Sequence, residues 1–139
     1  MEIKIKKFHP NAVIPHYANQ GDAGMDVYSV SKNETGKHIE YGTGLGFELP
    51  QGYVLLVFAR SSVTDKDLIL GNSVGILDSG FRGELKLRFK KTGEGKDDYS
   101  VGERIGQILV LPFPKIDFHE VEELDVAGDR GGGFGSTGN

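Results

Sequence analysis

Five short segments of the chain hold residue types suited to chemistry on a phosphate ester, and each also has a plainer reading. In Ala23-Gly24-Met25-Asp26-Val27, Asp26 offers one carboxylate to a hydrated cation, as Mg²⁺ keeps several waters and takes few protein ligands. The plainer reading is a turn entering a strand. Ala59-Arg60-Ser61-Ser62 joins a guanidinium to two hydroxyls at the start of a helix, where free N–H groups favour an anion. The alternative is a capped helix with a surface arginine. In Asn72-Ser73-Val74-Gly75-Ile76-Leu77-Asp78-Ser79-Gly80-Phe81, Asp78 is either a turn former or a general base for a water. Asn72 and the strand backbone are placed to read the edge of a base. Gln107 lies among Ile105, Ile108, Leu109 and Val110, so when buried it needs a ligand or a backbone partner. The run Arg130 to Gly138 sets a single aromatic, Phe134, among glycines. That suits a lid with glycine hinges, a ring to stack on a base and an arginine for phosphate; the alternative is a disordered tail. The four histidines, 9, 16, 38 and 119, show no ligand spacing, and His119-Glu120-Val121-Glu122-Glu123 lacks the second histidine of a zinc site.

Alternation with period two dominates the elements that must carry these residues. Ile3 and Ile5, then Leu85, Leu87 and Phe89, then Ile116 and Phe118 alternate with polar neighbours and predict strands. Tyr53–Phe58 and Ile105–Leu111 are nearly continuous apolar runs, expected to be buried on both faces. Turn chemistry at Asn19–Asp22, Pro50–Gly52, Asp78–Gly80 and Thr92–Gly95 punctuates them, and Asn72–Phe81 reads as a hairpin turning at Asp78. No long window has a helical stripe. One short helix is predicted after Arg60, with Ser62 as N-cap and Asp65 at the capping-box position. The expectation is an all-β barrel or jelly-roll sandwich.

Glycine makes up 21 of 139 residues, about twice its usual share, and it clusters beside the motifs. The tail from Gly128 to Asn139 is richest, so residues 1–127 are expected to form one β domain and 128–139 a flexible arm. A net charge of −4 argues against a nucleic-acid backbone as partner, so any polyanionic substrate must be drawn by a few placed arginines and a cation. The absence of cysteine excludes disulfides and thiolate metal sites. No apolar run approaches the roughly 20 residues of a membrane span, and MEIKIKKFHP has no apolar leader core; the expected location is the cytoplasm, of a host cell if the source is viral.

In order and interval, the five segments resemble the five motifs of the trimeric dUTPase family. A-G-x-D is met by Ala23, Gly24 and Asp26; G-R-S-S by Arg60, Ser61 and Ser62, with Ala59 in place of glycine; G-x-I-D by Gly75 and Asp78, with Leu77 for isoleucine; G-x-R-x-x-Q by Gly102, Arg104 and Gln107; and G-G-F-G-S-T-G by residues 132–138. The resemblance implies a distorted β-barrel or jelly roll with one short helix and a C-terminal arm, assembled as a homotrimer with shared sites. It implies Mg²⁺-dependent hydrolysis of dUTP to dUMP and pyrophosphate, which limits uracil in DNA and supplies dUMP for dTMP synthesis. Asp78 would activate the attacking water. Arg60, Ser61, Ser62, Gln107, Arg130, Ser136 and Thr137 would hold phosphates. Asn72, Gly75, Leu77, Phe81 and Phe134 would hold uracil and deoxyribose, and Asp26 the metal through water.

Three departures from that pattern stand out: Gly80 and Phe81 replace the family's Asp-Tyr, and Arg130 lies one residue closer to Phe134 than usual. Asp78-Ser79-Gly80-Phe81-Arg82-Gly83 also resembles the dCTP deaminases. Those need a glutamate where this chain has Arg88 and an arginine where it has Asp65. A third reading is a regulatory trimer that keeps the fold without the activity.

Overall fold

The computed structural model describes residues 1–94, 97–129 and 131–132. Among these, ten strands and one 3₁₀ turn make up the regular structure. The strands are β1 (Lys4–Lys7), β2 (Met25–Tyr28), β3 (Ser31–Glu34), β4 (Ile39–Gly42), β5 (Leu45–Glu48), β6 (Tyr53–Phe58), β7 (Leu68–Leu70), β8 (Val74–Leu77), β9 (Lys86–Lys91) and β10 (Arg104–Pro112). They form two antiparallel four-stranded sheets, ordered β2-β10-β6-β8 and β3-β4-β9-β7, and a small β1-β5 pair. This is the all-β jelly-roll architecture expected from the alternation.

The two large sheets bury one face each in a common core. Val27, Leu55, Val57, Leu77, Ile105 and Ile108 come from one; Ile39, Tyr41, Leu68, Leu70, Leu87 and Phe89 from the other. Tyr41, Phe89 and Tyr99 meet edge to face, with ring centroids 5.6 to 6.0 Å apart, a geometry the aromatic quadrupole favours. The space at Gly106 is tight, since a Cβ would sit 2.5 Å from Leu87 Cδ2 of the facing sheet and 2.9 Å from the Phe58 carbonyl oxygen of the neighbouring strand. The register between β10 and β2 shifts at this point, between Arg104 and Gly106, so a bulge re-aims the start of β10 beside the site residues.

Four local expectations change. The turn after Arg60 is a 3₁₀ helix over Ser61–Asp65, its N-cap is Arg60 and not Ser62, and no side chain caps it. Arg60 is extended (φ −80°, ψ 157°), which moves the cap two residues upstream and leaves Asp65 at the end of the turn. The Asn72–Phe81 hairpin is not formed as a strand pair: β8 bonds to β6, while β9 lies in the other sheet against β4 and β7. Double-sided burial of β6 and β10 is incomplete, since only alternate residues of β6 are buried and Leu111 is exposed. Ile116 and Phe118 form no strand; Phe118 is 95% exposed, because alternation marks an amphipathic segment without supplying a neighbour for it.

Among the described residues no helix is long and apolar enough to cross a membrane.

Candidate functional site

The sequence of sheet β2-β10-β6-β8 lines up the predicted residues. Asp26 on β2 pairs with Gln107 on β10, Gln107 with Phe58 on β6, and Phe58 with Val74 on β8. Arg60, Ser61 and Ser62 follow the end of β6, and Asn72 precedes β8, so one end of the sheet gathers residues from four separate parts of the chain.

At the centre of that end is a charge cluster. Arg60 Nε donates to Asp26 Oδ1 at 2.9 Å, and Arg60 Nη1 to Ser62 Oγ at 3.2 Å. Arg104 Nη1 takes the other carboxylate oxygen, Oδ2, at 3.2 Å. Two guanidinium groups against one carboxylate leave an excess of one positive charge, with Arg60 and Asp26 half-buried and Arg104 exposed to solvent screening. Gln107 Nε2 donates to the Ala59 carbonyl at 3.1 Å; its partner is the backbone, and the bond fixes the residue that leads into Arg60. Gly24 makes room for it, as a Cβ there would come 2.9 Å from Gln107 Oε1. Ser61 stands exposed at the first position of the 3₁₀ turn.

Beside this cluster a polar crevice of about 300 Å³ is lined by Asp26, Arg104, Gln107, Gly24, His16 and Tyr28, among others. Among the described residues no three His, Asp or Glu gather to cage a metal ion. A lone, half-exposed carboxylate in a wet crevice fits a hydrated cation that takes its inner ligands from a bound phosphate. Both Asp26 oxygens are engaged by arginines.

The second group opens onto a larger cavity of about 570 Å³ between β8 and the start of β9, lined by Asn72, Gly75, Leu77, Asp78 and Phe81. β8 is the edge of its sheet, so the backbone groups facing away from β6 have no strand partner and can pair with a flat, hydrogen-bonding ligand. Leu77 is buried and Gly75 half-buried against Val57. Asp78 lies just beyond β8, in a turn closed by the Phe81 N–H to the Asp78 carbonyl at 3.0 Å. Its exposed carboxylate makes no hydrogen bond or ion pair with the described residues. The Phe81 ring, 45% exposed, lies over Gly83, where a Cβ would come 2.6 Å from it.

A charged ladder forms the opposite wall. Lys86 Nζ and Arg88 Nε donate to the two carboxylate oxygens of Glu40 at 2.9 and 2.7 Å. These two bonds hold the Glu40 carboxyl below its ordinary value and raise the Lys86 ammonium above its own.

Asn72 stands at the Arg60 end of β8, but within one chain Asp78 and the Asp26 cluster do not meet. Asp78 follows the far end of β8, about 13 Å along the strand from Val74 at ~3.3 Å per residue, and neither Asp26 nor Arg60 lines its cavity. Arg130, Phe134, Ser136 and Thr137 lie outside the described residues. Arg104, Tyr28 and His16 also line the crevice. Arg104 was legible as a motif member but not as the partner of Asp26; Tyr28 shares the face of Asp26 at a spacing of two; His16 gave no local signal.

Comparison with known proteins agrees with this arrangement. The dUTPase family matches residues 10–138. Deoxyuridine 5'-triphosphate nucleotidohydrolase of Clostridium acetobutylicum is 40% identical, with 99% of this chain and 97% of that protein covered. The protein of that name from Helicobacter pylori strain Shi470 is 36% identical over the same shares. The solved structure of Staphylococcus bacteriophage 80alpha dUTPase with dUPNHPP superposes with a TM-score of 0.84 at 26% identity, covering 99% of both chains. With its motif residues gathered at one sheet end and around one edge-strand cavity, the chain belongs to the dUTPase family.

Proposed function

We propose that this chain hydrolyses dUTP to dUMP and pyrophosphate, with Asp78 as the general base. A water held by the Asp78 carboxylate gives up its proton as its oxygen attacks the α-phosphorus in line. The bond to the bridging oxygen breaks, and pyrophosphate leaves. The observation that carries this reading is the unpaired Asp78 carboxylate at the mouth of a base-sized cavity bordered by an edge strand and Asn72. Asn72 and the β8 backbone pair with uracil, Leu77 and Gly75 form the floor, and Phe81 lies against the deoxyribose. Discrimination against cytosine comes from its reversed donors and acceptors, which leave buried groups unpaired.

Arg60, Ser61, Ser62 and Gln107 bind the phosphates, and the excess positive charge around Asp26 draws them in. Mg²⁺, held by Asp26 through water, would neutralise triphosphate charge and make the α-phosphorus a better electrophile. The substrate must then release Asp26 from Arg60 and Arg104, so binding exchanges one carboxylate for several phosphate oxygens on the same guanidinium groups. The product would feed dTMP synthesis and the reaction would keep uracil out of DNA, in the cytoplasm.

The site is completed by neighbouring copies in a homotrimer. The separation of Asp78 from the Asp26 cluster within one chain supports this, as does the segment after β10, which exposes Phe113, Ile116, Phe118, Leu124 and Val126, side chains that a second copy would cover. Residues 128–139 form an arm apart from the 1–127 domain, and it brings Phe134 over the base and Arg130, Ser136 and Thr137 to the phosphates of a neighbour's site. The deaminase alternative finds no support, since Arg88 is committed to Glu40.

Asp78→Asn tests the assignment. Pyrophosphate release should fall by at least about 10³-fold, at the scale of a lost general base, while dUPNHPP binding measured by calorimetry stays within a few-fold. Turnover near wild type in this variant removes Asp78 from its role.

A further inference from the structure

Close to Ser62 lies a buried hydroxyl that makes no hydrogen bond of full geometry among the described residues. Tyr99 is 2% exposed, and its Oη is the buried side-chain polar atom without a hydrogen bond among the described residues. Ser62 is near enough to pull on it as a hydrogen-bond partner, and Arg60 and Lys66 act on its charge, yet no bond of full geometry is formed. The ring is fixed from every side. Tyr41 Oη donates to the Tyr99 carbonyl at 2.9 Å and accepts from the Tyr99 N–H at 3.2 Å; Phe89 packs against the ring edge; Lys66 Nζ sits 5.4 Å from its centroid. A phenylalanine would make the same ring contacts, so packing does not explain the hydroxyl, and a buried hydroxyl left unpaired is unfavourable.

Its neighbour Ser62 is occupied for the moment, because Ser62 Oγ accepts from Arg60 Nη1. A hydroxyl has one hydrogen to donate and two lone pairs to accept with. When Arg60 turns to a phosphate, Ser62 Oγ loses its donor and Tyr99 can take that place. We infer that Tyr99 is a positioning residue for substrate binding: its buried hydroxyl donates to Ser62 in the bound state and so points the Ser62 hydrogen at a phosphate oxygen. The chain Tyr99–Ser62–phosphate then strengthens each link by polarising the next. Burial raises the phenol above its ordinary value of 10, so the donor keeps its proton over the whole range in which the protein works. The inference rests on Ser62 being a phosphate ligand.

The test compares Tyr99→Phe, Ser62→Ala and the double variant in the full-length protein, reading kcat and KM for dUTP, the Kd for dUPNHPP, and Tm. The expected result for Tyr99→Phe is a KM and Kd raised together by about tenfold, the size of one lost hydrogen bond. Its kcat should change less than threefold, its Tm should not fall, and its penalty should be equal at pH 6 and pH 9. Ser62→Ala should weaken binding further, and the double variant should be no worse than Ser62→Ala alone, as coupled residues require. Ser62→Ala with normal binding overturns both this inference and the assignment of Ser62 to phosphate. A damaging Ser62→Ala with a harmless or fully additive Tyr99→Phe overturns the inference alone. So does a lowered Tm in Tyr99→Phe with unchanged KM, which would make the hydroxyl structural.

Discussion

The charged side chains at the Asp26 end of the site are held by partners that local sequence does not name. Asp26 is a cation ligand on paper, yet in the folded chain its two oxygens go to Arg60 and Arg104, residues 34 and 78 positions away. Gln107 is the contrasting case: a polar residue in an apolar run must find a partner, and it finds the Ala59 carbonyl. Tyr99 carried no signal at all, because a tyrosine before a turn reads as core until its hydroxyl is located. Charge pairing at Glu40 leads to a pH prediction. Its carboxyl is held low by hydrogen bonds from Lys86 and Arg88, so its contribution to stability is present above the ordinary glutamate value and is lost as pH falls through the lowered one. Glu40→Gln should therefore be less stable than wild type in urea melts at pH 7, by at most about 1 kcal/mol because both cations are largely exposed. The gap should narrow as pH falls below the ordinary glutamate range.

At the scale of elements, the alternating Leu87 and Phe89 and the continuous run Tyr53–Phe58 became β9 and β6; the period of the first matches the face β9 buries, while the second overstates burial, since β6 buries only Leu55 and Val57. The same alternation at Ile116 and Phe118 formed no strand, since period two specifies a face but not a neighbour to pair with. Asn72–Phe81 fails as a hairpin for a related reason: turn residues at Asp78 bend the chain, but which sheet receives the next strand depends on distant residues such as Val57 and Ile39. Gly106 tests the closeness of the two sheets. Gly106→Ala forces a methyl against Leu87 and the Phe58 carbonyl, and should destabilise the protein by about 1–3 kcal/mol in the manner of an overpacked core. A neutral result in chemical denaturation would mean the sheets can part at no cost.

The molecule as a whole is a small domain that divides its proposed chemistry between two ends of one sheet, one with arginines and a carboxylate, the other with a cavity and a general base. Assembly with other copies would bring such halves together and cover the apolar segment after β10. Removal of residues 128–139 examines the arm separately from that assembly. Sedimentation should still give three times the mass of the shortened chain, while kcat/KM for dUTP falls at least about 100-fold, as expected for loss of a closing segment that positions substrate. An unaffected truncation would mean that the glycine-rich tail closes nothing.

The central claim is that this site cleaves a metal-chelated deoxyuridine triphosphate and no close analogue. It is met most directly by offering dUTP, UTP, dTTP and dCTP with Mg²⁺ to the purified protein and following pyrophosphate and ammonia together. Rapid pyrophosphate release from dUTP, little from the other three and no ammonia from dCTP is the predicted outcome. Intact dUTP after prolonged incubation, or ammonia from dCTP, would contradict it.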